Sequence, residues 1–286
     1  MTTDVSSLRR AAEEAARLSG AVLRTRFTLP RTVHLKGDID LVTDADHASE
    51  RVLLDYLRQR FPSHAILSEE SGASPGQRPS EGLSPGLKWV VDPLDGTTNY
   101  AHNVPHYCVS VAVEDERGWL AGAVFDPMRD EMFTTGRGQG ATLNGAPLRA
   151  SEASDLGRAL MCTGFPYDVR EHPQASVGLF TRIVRQAQGV RRMGAAALDL
   201  AYVAAGRFDG YWEFGLKPWD VGAGALMVEE AGGVLLGIDG GPYETGLADV
   251  LACSQGLAPI LKKEVGLFLQ ELGYGPARGR RTARYT

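Results

Sequence analysis

Carboxylate side chains stand at points of the chain where short apolar segments end. Asp92 and Asp95 follow the apolar run 89–91, and Glu69 follows the run 65–67. Hard cations such as Mg²⁺ bind through oxygen, commonly from a few carboxylates together with water and a substrate phosphate. Because carboxylates gathered at strand ends repel one another unless a cation lies between them, the pattern favours a site with several metal ions over a simple acid/base pair.

The segment 96–98 (GTT) places a glycine before two hydroxyl residues. At the start of a helix, such a segment offers free backbone N–H groups and the favourable end of the helix dipole to a phosphate. Metal ions and a phosphate would then lie side by side, as phosphoryl transfer to water requires. Asp220 follows Pro218 at the predicted start of another helix and is a further candidate ligand.

Each of these residues also has a purely structural interpretation. Thr43 and Asp46 have the spacing of a helix capping box. Asp220 could be an ordinary aspartate in the first turn of a helix, and Glu70 could be a solvated side chain. Asp95-Gly96 could mark only a turn. The coincidence of all these segments in one chain favours the chemical interpretation.

The elements that must position these residues alternate between helices and strands. Apolar side chains at helical spacing predict helices over 5–27, from Thr43 to before Pro62, 174–187, 195–206 and a final helix near 219–231. Apolar runs predict strands at 33–36, 65–67, 89–91, 107–113, 119–125, 159–163 and 209–214, with a hairpin at Asn144-Gly145. The Gly/Pro-rich segment 72–87 is predicted to be an exposed loop, and the run 136–140 (GRGQG) a turn. This mixed order predicts a layered α+β fold.

Composition narrows the class of protein. The chain has 286 residues, of which 43% are hydrophobic and 23% charged, as in globular proteins that bury a core. The net charge of −5 argues against nucleic acid as a partner, because binding of a phosphate backbone needs a basic face. Cys108, Cys162 and Cys253 form no pair by spacing and are predicted to be small buried side chains in a reducing compartment.

The ends of the chain carry further expectations. The N-terminus has no basic-then-apolar leader, and no apolar run reaches the roughly 18 residues needed to span a bilayer. A soluble, cytoplasmic protein without a membrane partner is therefore expected. The Arg-rich segment 278–284 is predicted to be a solvated terminus rather than a binding element.

Four separated segments resemble motifs of the inositol monophosphatase family. Residues 89–100 (WVVDPLDGTTNY) resemble its first signature, and residues 219–233 (WDVGAGALMVEEAGG) resemble its second. Residues 40–46 (DLVTDAD) and 67–71 (LSEES) resemble two supporting motifs in the expected order. The resemblance covers about 5–273, which is nearly the whole chain.

The resemblance implies the layered αβαβα sandwich of the sugar-phosphatase superfamily. It implies one domain over 1–286, made of two closely packed α/β halves at about 1–150 and 151–273 with a basic tail at 274–286. It further implies a homodimer, inhibition by lithium and a Mg²⁺-dependent phosphomonoesterase that acts on a small phosphate ester.

The resemblance also assigns roles to residues of this chain. The implied ligands of two or three Mg²⁺ ions are Glu69, Asp92, the backbone carbonyl of Leu94, Asp95 and Asp220. Asp46 and Thr97 would orient the attacking water beside Glu69. Backbone N–H groups of Gly96 and Thr97 would hold the phosphate.

Substrate choice is the finer question. Gly194-Ala195-Ala196 and Glu213, with Asp220, occupy positions that meet ring hydroxyls in inositol phosphatases, which implies inositol 1-phosphate or a similar polyol phosphate. Ala195 replaces a hydroxyl residue of animal members, Glu213 could be a plain strand residue, and Thr163–Tyr167 resembles bacterial members with other substrates. Histidinol phosphate, fructose 1,6-bisphosphate and nucleotide phosphates therefore stay open as substrates. A regulatory binding protein on the same fold is a further alternative.

Overall fold

The structure is a computed structural model, and it describes residues 4–30, 32–35, 40–76 and 86–273. The predictions made for Lys36, for 77–85 of the exposed loop and for the tail 274–286, including 278–284, lie outside the described residues.

Seven α-helices form within these ranges, and their bounds are α1 (Val5–Arg26), α2 (Asp44–Arg60), α3 (Thr97–Ala101), α4 (Pro173–Val184), α5 (Ala196–Ala204), α6 (Pro218–Glu230) and α7 (Ala258–Glu271). The predicted helices are confirmed to within a few residues at their ends. The prediction that the helix near 219–231 is the last one is wrong, because α7 follows it. None of the described helices combines the length and the apolar composition needed to cross a bilayer.

The strands are β1 (Val33–Leu35), β2 (Leu41–Thr43), β3 (Ala65–Ser68), β4 (Gly72–Ser74), β5 (Lys88–Asp95), β6 (Cys108–Asp115), β7 (Gly118–Asp126), β8 (Glu131–Gly136), β9 (Ala141–Leu143), β10 (Ala146–Pro147), β11 (Leu160–Thr163), β12 (Gly189–Arg191), β13 (Gly210–Glu213), β14 (Val234–Gly237) and β15 (Val250–Cys253). Strands β1 and β2 form a small ribbon. The large sheet has the order β10-β9-β8-β7-β6-β5-β3-β4, and the second sheet has the order β12-β11-β13-β15-β14.

The helices and sheets are stacked in five layers. Helices α1 and α2 pack together and cover one face of the eight-stranded sheet, while α5 and α6 cover its other face. The same α5 and α6 layer packs against the five-stranded sheet, whose outer face is covered by α4 and α7. The predicted α+β fold, a layered αβαβα sandwich, is therefore confirmed.

Two strand predictions need correction. The predicted loop 72–87 contains β4, which pairs antiparallel with β3. Its three residues, Gly-Ala-Ser, are too few and too small to show an alternating pattern, so the edge strand is formed by tertiary pairing alone. The predicted strand 89–91 continues to Asp95, and its pairing with β6 shifts register between Asp92 and Asp95.

Other local predictions are confirmed. Asn144 and Gly145 join β9 to β10 with φ of 48° and 83°, the left-handed backbone that a tight two-residue hairpin requires. The three cysteines are buried and unpaired.

Small residues allow helix α6 to lie close to the layers on either side. The helix is apolar on all sides, as a helix between two sheets must be. A Cβ atom on Gly222 would lie 2.8 Å from Cη2 of Trp119 and 3.0 Å from Cβ of Ala112. One on Gly224 would lie 2.5 Å from Cβ of Leu200 in α5. Close packing of α6 therefore holds its N-terminus, which carries Asp220, in the middle layer.

We expect Gly222→Ala to lower the free energy of unfolding by about 1–3 kcal/mol, because the added methyl group overpacks the contact with Trp119. The matched control is Gly266→Ala in α7, where a Cβ atom meets nothing within 4 Å. That change should stabilise the helix by up to about 1 kcal/mol, since alanine is the better helix former. Urea unfolding of both variants measures the difference. Equal effects of the two substitutions would contradict this account of α6.

Candidate active site

The irregular end of β5 positions two of the predicted metal ligands. Pro93 has no N–H group to donate to β6, and the pairing slips at this point. The Leu94 N–H donates instead to Oδ1 of Asp92 (2.9 Å), and Ser49 Oγ donates to the Pro93 carbonyl (2.9 Å). Asp92 and Asp95 are both buried. In a regular strand residues three apart point to opposite faces, so the bulge is what allows both carboxylates to serve one site.

The structure brings four predicted ligands into one electrostatic cluster. Burial raises the pKa of Asp92 well above its usual range, and the charges of Glu69, Asp95 and Asp220 raise it further. Burial, followed by the charges of Asp95 and Glu69, does the same to the pKa of Asp220. Burial raises the pKa of Asp95 to about 6. These residues come from the β3–β4 turn, from β5 and from α6, and we name them the acidic cluster.

The acidic cluster has the chemistry of a divalent-cation site. Among the described residues, the main influences on the pKa of Asp92 and Asp220 include no charged lysine or arginine side chain; Lys217 acts on Asp220 through its backbone N–H alone. The negative charges of the cluster therefore act on one another without a neighbouring cation in the described ranges to offset them. Mg²⁺ prefers such oxygen donors, and its charge would offset this mutual repulsion.

The side chains are not yet arranged around an ion. Within the described part of the chain, no three His, Cys, Asp or Glu side chains surround a common point as metal ligands. The assignment of individual ligands, including the Leu94 carbonyl, stays a prediction.

Asp46 completes a capping box, as its spacing predicted, and also faces the loop after β5. Its Oδ2 accepts a hydrogen bond from the Thr43 N–H (2.8 Å) and completes the capping box of α2. Its Oδ1 faces Thr97, whose hydroxyl lies 3.2 Å away and 3.0 Å from the Leu94 carbonyl. Burial raises the pKa of Asp46, and the hydrogen bonds from Thr43 and Thr97 oppose that rise. The capping hydrogen bond therefore fixes the position of the Asp46 carboxylate, which faces Thr97 in the segment after β5.

Asp220 is held in the same way at the start of α6. Its Oδ2 accepts the backbone N–H of Lys217 (2.7 Å), so it is indeed an aspartate of the first helical turn. The charges of Asp95 and Glu69 nevertheless act on it. The structural and chemical interpretations are therefore compatible, since one oxygen serves the helix and the other is left for the cluster.

The glycine of the predicted phosphate loop is required by its surroundings. Gly96 has φ of 91°, and a Cβ atom there would lie 3.1 Å from the His106 carbonyl oxygen and 3.3 Å from Cβ of Ala195. The same Cβ atom would lie 3.3 Å from the carbonyl oxygen of Gly194, whose own φ is 87°. The structure therefore brings Gly194 and Ala195 beside Gly96, although about a hundred residues separate them in the sequence.

Three further hydrogen bonds hold this loop, and two of them reach Met193 and Ala197 at the start of α5. The Asn99 side-chain amide donates to the carbonyls of His106 and Met193, both at 2.8 Å. The Ala197 N–H donates to Oδ2 of Asp95 at 2.7 Å. These bonds keep the residues predicted to meet the substrate alcohol next to the acidic cluster.

Glu213 is a buried acid rather than an ordinary strand residue. It ends β13, accepts a hydrogen bond from the Tyr211 hydroxyl and lies against Gly164, where a Cβ atom would be 2.0 Å from Oε2. Burial raises its pKa to about 8, with the charges of Asp199 and Asp95 contributing. At neutral pH its carboxyl group is largely protonated and can both donate to and accept from a hydroxyl group.

Sequence reasoning missed a buried pair behind the site. His106 Nε2 and Asp199 Oδ1 lie 3.9 Å apart, too far for a direct hydrogen bond, and both side chains are buried. Neither ring nitrogen and neither carboxylate oxygen has a hydrogen-bond partner among the described residues. Asp199 is the one charged residue of α5, and that contrast was the available signal.

The glycine run 136–140 is confirmed as a turn. The N–H groups of Gly138 and Gly140 both donate to the Glu230 carboxylate at 2.7 Å. Because these amides already bind a carboxylate of α6, the run fastens a helix end and does not serve as a nucleotide loop.

Residues 4–267 match the family described as "Inositol monophosphatase family". The fold thus belongs to a recognised class, and this chain is a member of the inositol monophosphatase family. Over 232 residues it is 44% identical to the Nus factor SuhB of Escherichia coli (strain K12), covering 80% of this chain and 85% of that protein.

Solved structures agree with this membership. An inositol monophosphatase from Anabaena (Nostoc) sp. PCC 7120 has 41% identity and a TM-score of 0.81, with 92% of this chain and 96% of that chain covered. The extragenic suppressor protein suhB from Bartonella henselae has 34% identity and a TM-score of 0.84, with 91% and 98% covered. The relatives are thus named either as phosphatases or as SuhB proteins.

We expect the metal-free chain to lose stability as pH rises from about 4.5 to 8. The folded state retains the proton of Glu213 up to a pKa of about 8, whereas the unfolded state releases it near the ordinary value of 4.5. Over this window Glu213→Gln should therefore become more stable than the wild type, by on the order of a few kcal/mol. Urea unfolding in EDTA at pH 5 and pH 8 measures the change.

The matched control for this prediction is Glu116→Gln, at an exposed position. It should follow the wild type at both pH values. If Glu213→Gln also parallels the wild type, the buried carboxyl group is not the source of the pH dependence.

Proposed function

We propose that this chain is a Mg²⁺-dependent phosphomonoesterase that hydrolyses inositol 1-phosphate or a similar polyol phosphate. The observation that carries the proposal is the acidic cluster, a set of mutually repelling carboxylates beside the Asp46–Thr97 pair and the Gly96 turn. Asp92 and Asp95 are buried, and Glu69 and Asp220 are half-buried. Membership of the inositol monophosphatase family supports the same class of reaction.

In this proposal the acidic cluster binds the metal ions. Glu69, Asp92 and the Leu94 carbonyl would hold one ion, while Asp92, Asp95 and Asp220 would hold a second. Magnesium, when bound, supplies positive charge that stabilises the transferring phosphoryl group and makes water a better nucleophile. The anchored oxygens of Asp95 and Asp220 limit the movement of their carboxylates, which favours a defined site over a diffuse one.

Asp46 and Thr97 would orient the attacking water. The Thr97 hydroxyl donates its proton toward Asp46 or the Leu94 carbonyl, so its lone pairs stay free to accept a hydrogen bond from water. Glu69, on the neighbouring turn, would accept the proton that the water loses. The N–H groups of Gly96 and Thr97 would bind the phosphate oxygens.

The released alcohol would lie between the start of α5 and Glu213. The protonated Glu213 carboxyl group would hydrogen-bond ring hydroxyls, and the 194–196 segment would form the opposite wall. Ala195 is buried and brings no hydroxyl group, so Glu213 carries more of the polar recognition here. A polyol with several hydroxyl groups suits such a donor and acceptor.

We expect Asp95→Asn to lower kcat/KM for inositol 1-phosphate by at least about a hundredfold, because a metal ligand loses its charge. The control Asp55→Asn, at an exposed position on α2, should retain activity. Calorimetric titration with MgCl₂ gives a second readout, in which Asp95→Asn should bind Mg²⁺ more weakly. Full activity of Asp95→Asn would refute this site.

A panel of esters at equal concentration tests the substrate. Inositol 1-phosphate should give a higher kcat/KM than histidinol phosphate, fructose 1,6-bisphosphate or a nucleoside monophosphate. A preference for histidinol phosphate would overturn the polyol assignment while leaving the phosphatase class intact. Magnesium omitted from the assay should abolish release of phosphate from every ester.

A second candidate function is a binding role. The observation that favours it is the name of relatives such as the Escherichia coli protein, which is a Nus factor. Competition against the tagged Escherichia coli Nus factor SuhB in its own cellular complexes would test this role. Displacement by both the wild type and Asp95→Asn would show binding that does not depend on the phosphatase site.

Two finer properties of the proposal rest on the family alone. We propose that the chain forms a homodimer and that lithium inhibits its phosphatase activity. Light scattering and an assay with added LiCl measure these properties separately.

A further inference from the structure

The turn between β11 and α4 carries an exposed aromatic side chain. Tyr167 has 60% of its surface exposed, a large fraction for a tyrosine. It makes no hydrogen bond and no ring contact with any other described residue. A large apolar ring in such a position has no evident structural task.

The chain around Tyr167 is firmly held. The Thr163 hydroxyl donates to the Trp212 carbonyl at 2.7 Å, and the Phe165 ring packs edge-on against Phe180 at 5.9 Å. Pro166 lies against Gly215, where a Cβ atom would be 3.1 Å from the proline Cβ. The ring of Tyr167 is therefore presented to solvent from an ordered turn.

This turn borders the candidate active site on two sides. Gly164 lies against the Glu213 carboxylate, so the turn begins at the proposed alcohol site. Desolvation raises the pKa of the Tyr167 hydroxyl. The charges of Asp40 and of carboxylates of the acidic cluster, Glu69 foremost, add to the rise. The ring is nevertheless open to solvent over most of its surface, so it lies within reach of the cluster's charges without being enclosed.

An aromatic ring beside the proposed alcohol site matches one feature of the proposed substrate. A cyclic polyol has polar hydroxyl groups at its edge and a face of C–H groups. Glu213 can bind the edge, and an exposed aromatic ring can cover the face. An acyclic alcohol such as glycerol has no comparable face to cover.

We propose that Tyr167 is a specificity-determining residue that packs against the ring of a cyclic polyol phosphate beside the proposed alcohol site. The inference rests on the proposed function and deepens it. It assigns preference for a cyclic alcohol to the turn after β11, in addition to Glu213.

The test compares Tyr167→Ala and Tyr167→Phe on inositol 1-phosphate and on glycerol 2-phosphate, a small acyclic ester. Tyr167→Ala should lower kcat/KM for inositol 1-phosphate about tenfold, mainly through KM, and change that for glycerol 2-phosphate less than twofold. Tyr167→Phe should keep the preference, because it keeps the ring. Val177→Ala, at an exposed apolar position of α4, is the control for loss of surface.

Equal losses on both esters, or no loss on either, would overturn the role of Tyr167. A wild-type chain that hydrolyses neither ester would refute the proposed function instead. In that event calorimetric binding of inositol 1-phosphate in MgCl₂ still decides the inference. Tyr167→Ala should bind about tenfold more weakly than the wild type and Tyr167→Phe, and equal affinities would refute it. Thermal unfolding of each variant controls for misfolding.

Discussion

The gathering of four buried or half-buried carboxylates at one place is the constraint on which the rest of the structure depends. Asp92, Asp95 and Asp220 repel one another and Glu69, and burial strengthens that repulsion because little water is left to screen it. A site of this kind lasts in a folded protein only if the surrounding backbone holds it. The middle layer of the sandwich, packed between two sheets, supplies that rigid support.

Helix starts supply the anchoring hydrogen bonds. Asp46, Asp95 and Asp220 each place one carboxylate oxygen on a backbone N–H at the N-terminus of α2, α5 or α6. This arrangement satisfies otherwise unpaired amides and favours the ionised form of the acid. The second oxygen of each residue is left for chemistry. Capping at Asp46 and Asp220 is therefore compatible with the chemistry proposed for the same side chains.

The sequence alone predicted those elements whose signals lie in residues close together along the chain. Helical periodicity predicted most helices, Asn144-Gly145 predicted a hairpin, and four motifs predicted the family and the layered fold. The sequence did not predict elements and contacts that depend on partners far away along the chain. Strand β4 has no sequence pattern of its own and forms because β3 offers it hydrogen bonds. Helix α7 was not predicted, because the helix near 219–231 was interpreted as the last one. The His106–Asp199 pair joins a loop to a distant helix, and no spacing predicts it.

For the site, the sequence by itself determined which residue types are present and their order: the carboxylates, the glycine and the hydroxyl group of a phosphoryl-transfer loop. Only the tertiary structure decided how they meet. It brought Gly194 beside Gly96, raised the pKa of Glu213 by burial and left Tyr167 exposed on a turn that begins beside Glu213. The physical reason is that desolvation and proximity depend on packing among residues far apart in the chain, whereas motifs and periodicity record only neighbours along it.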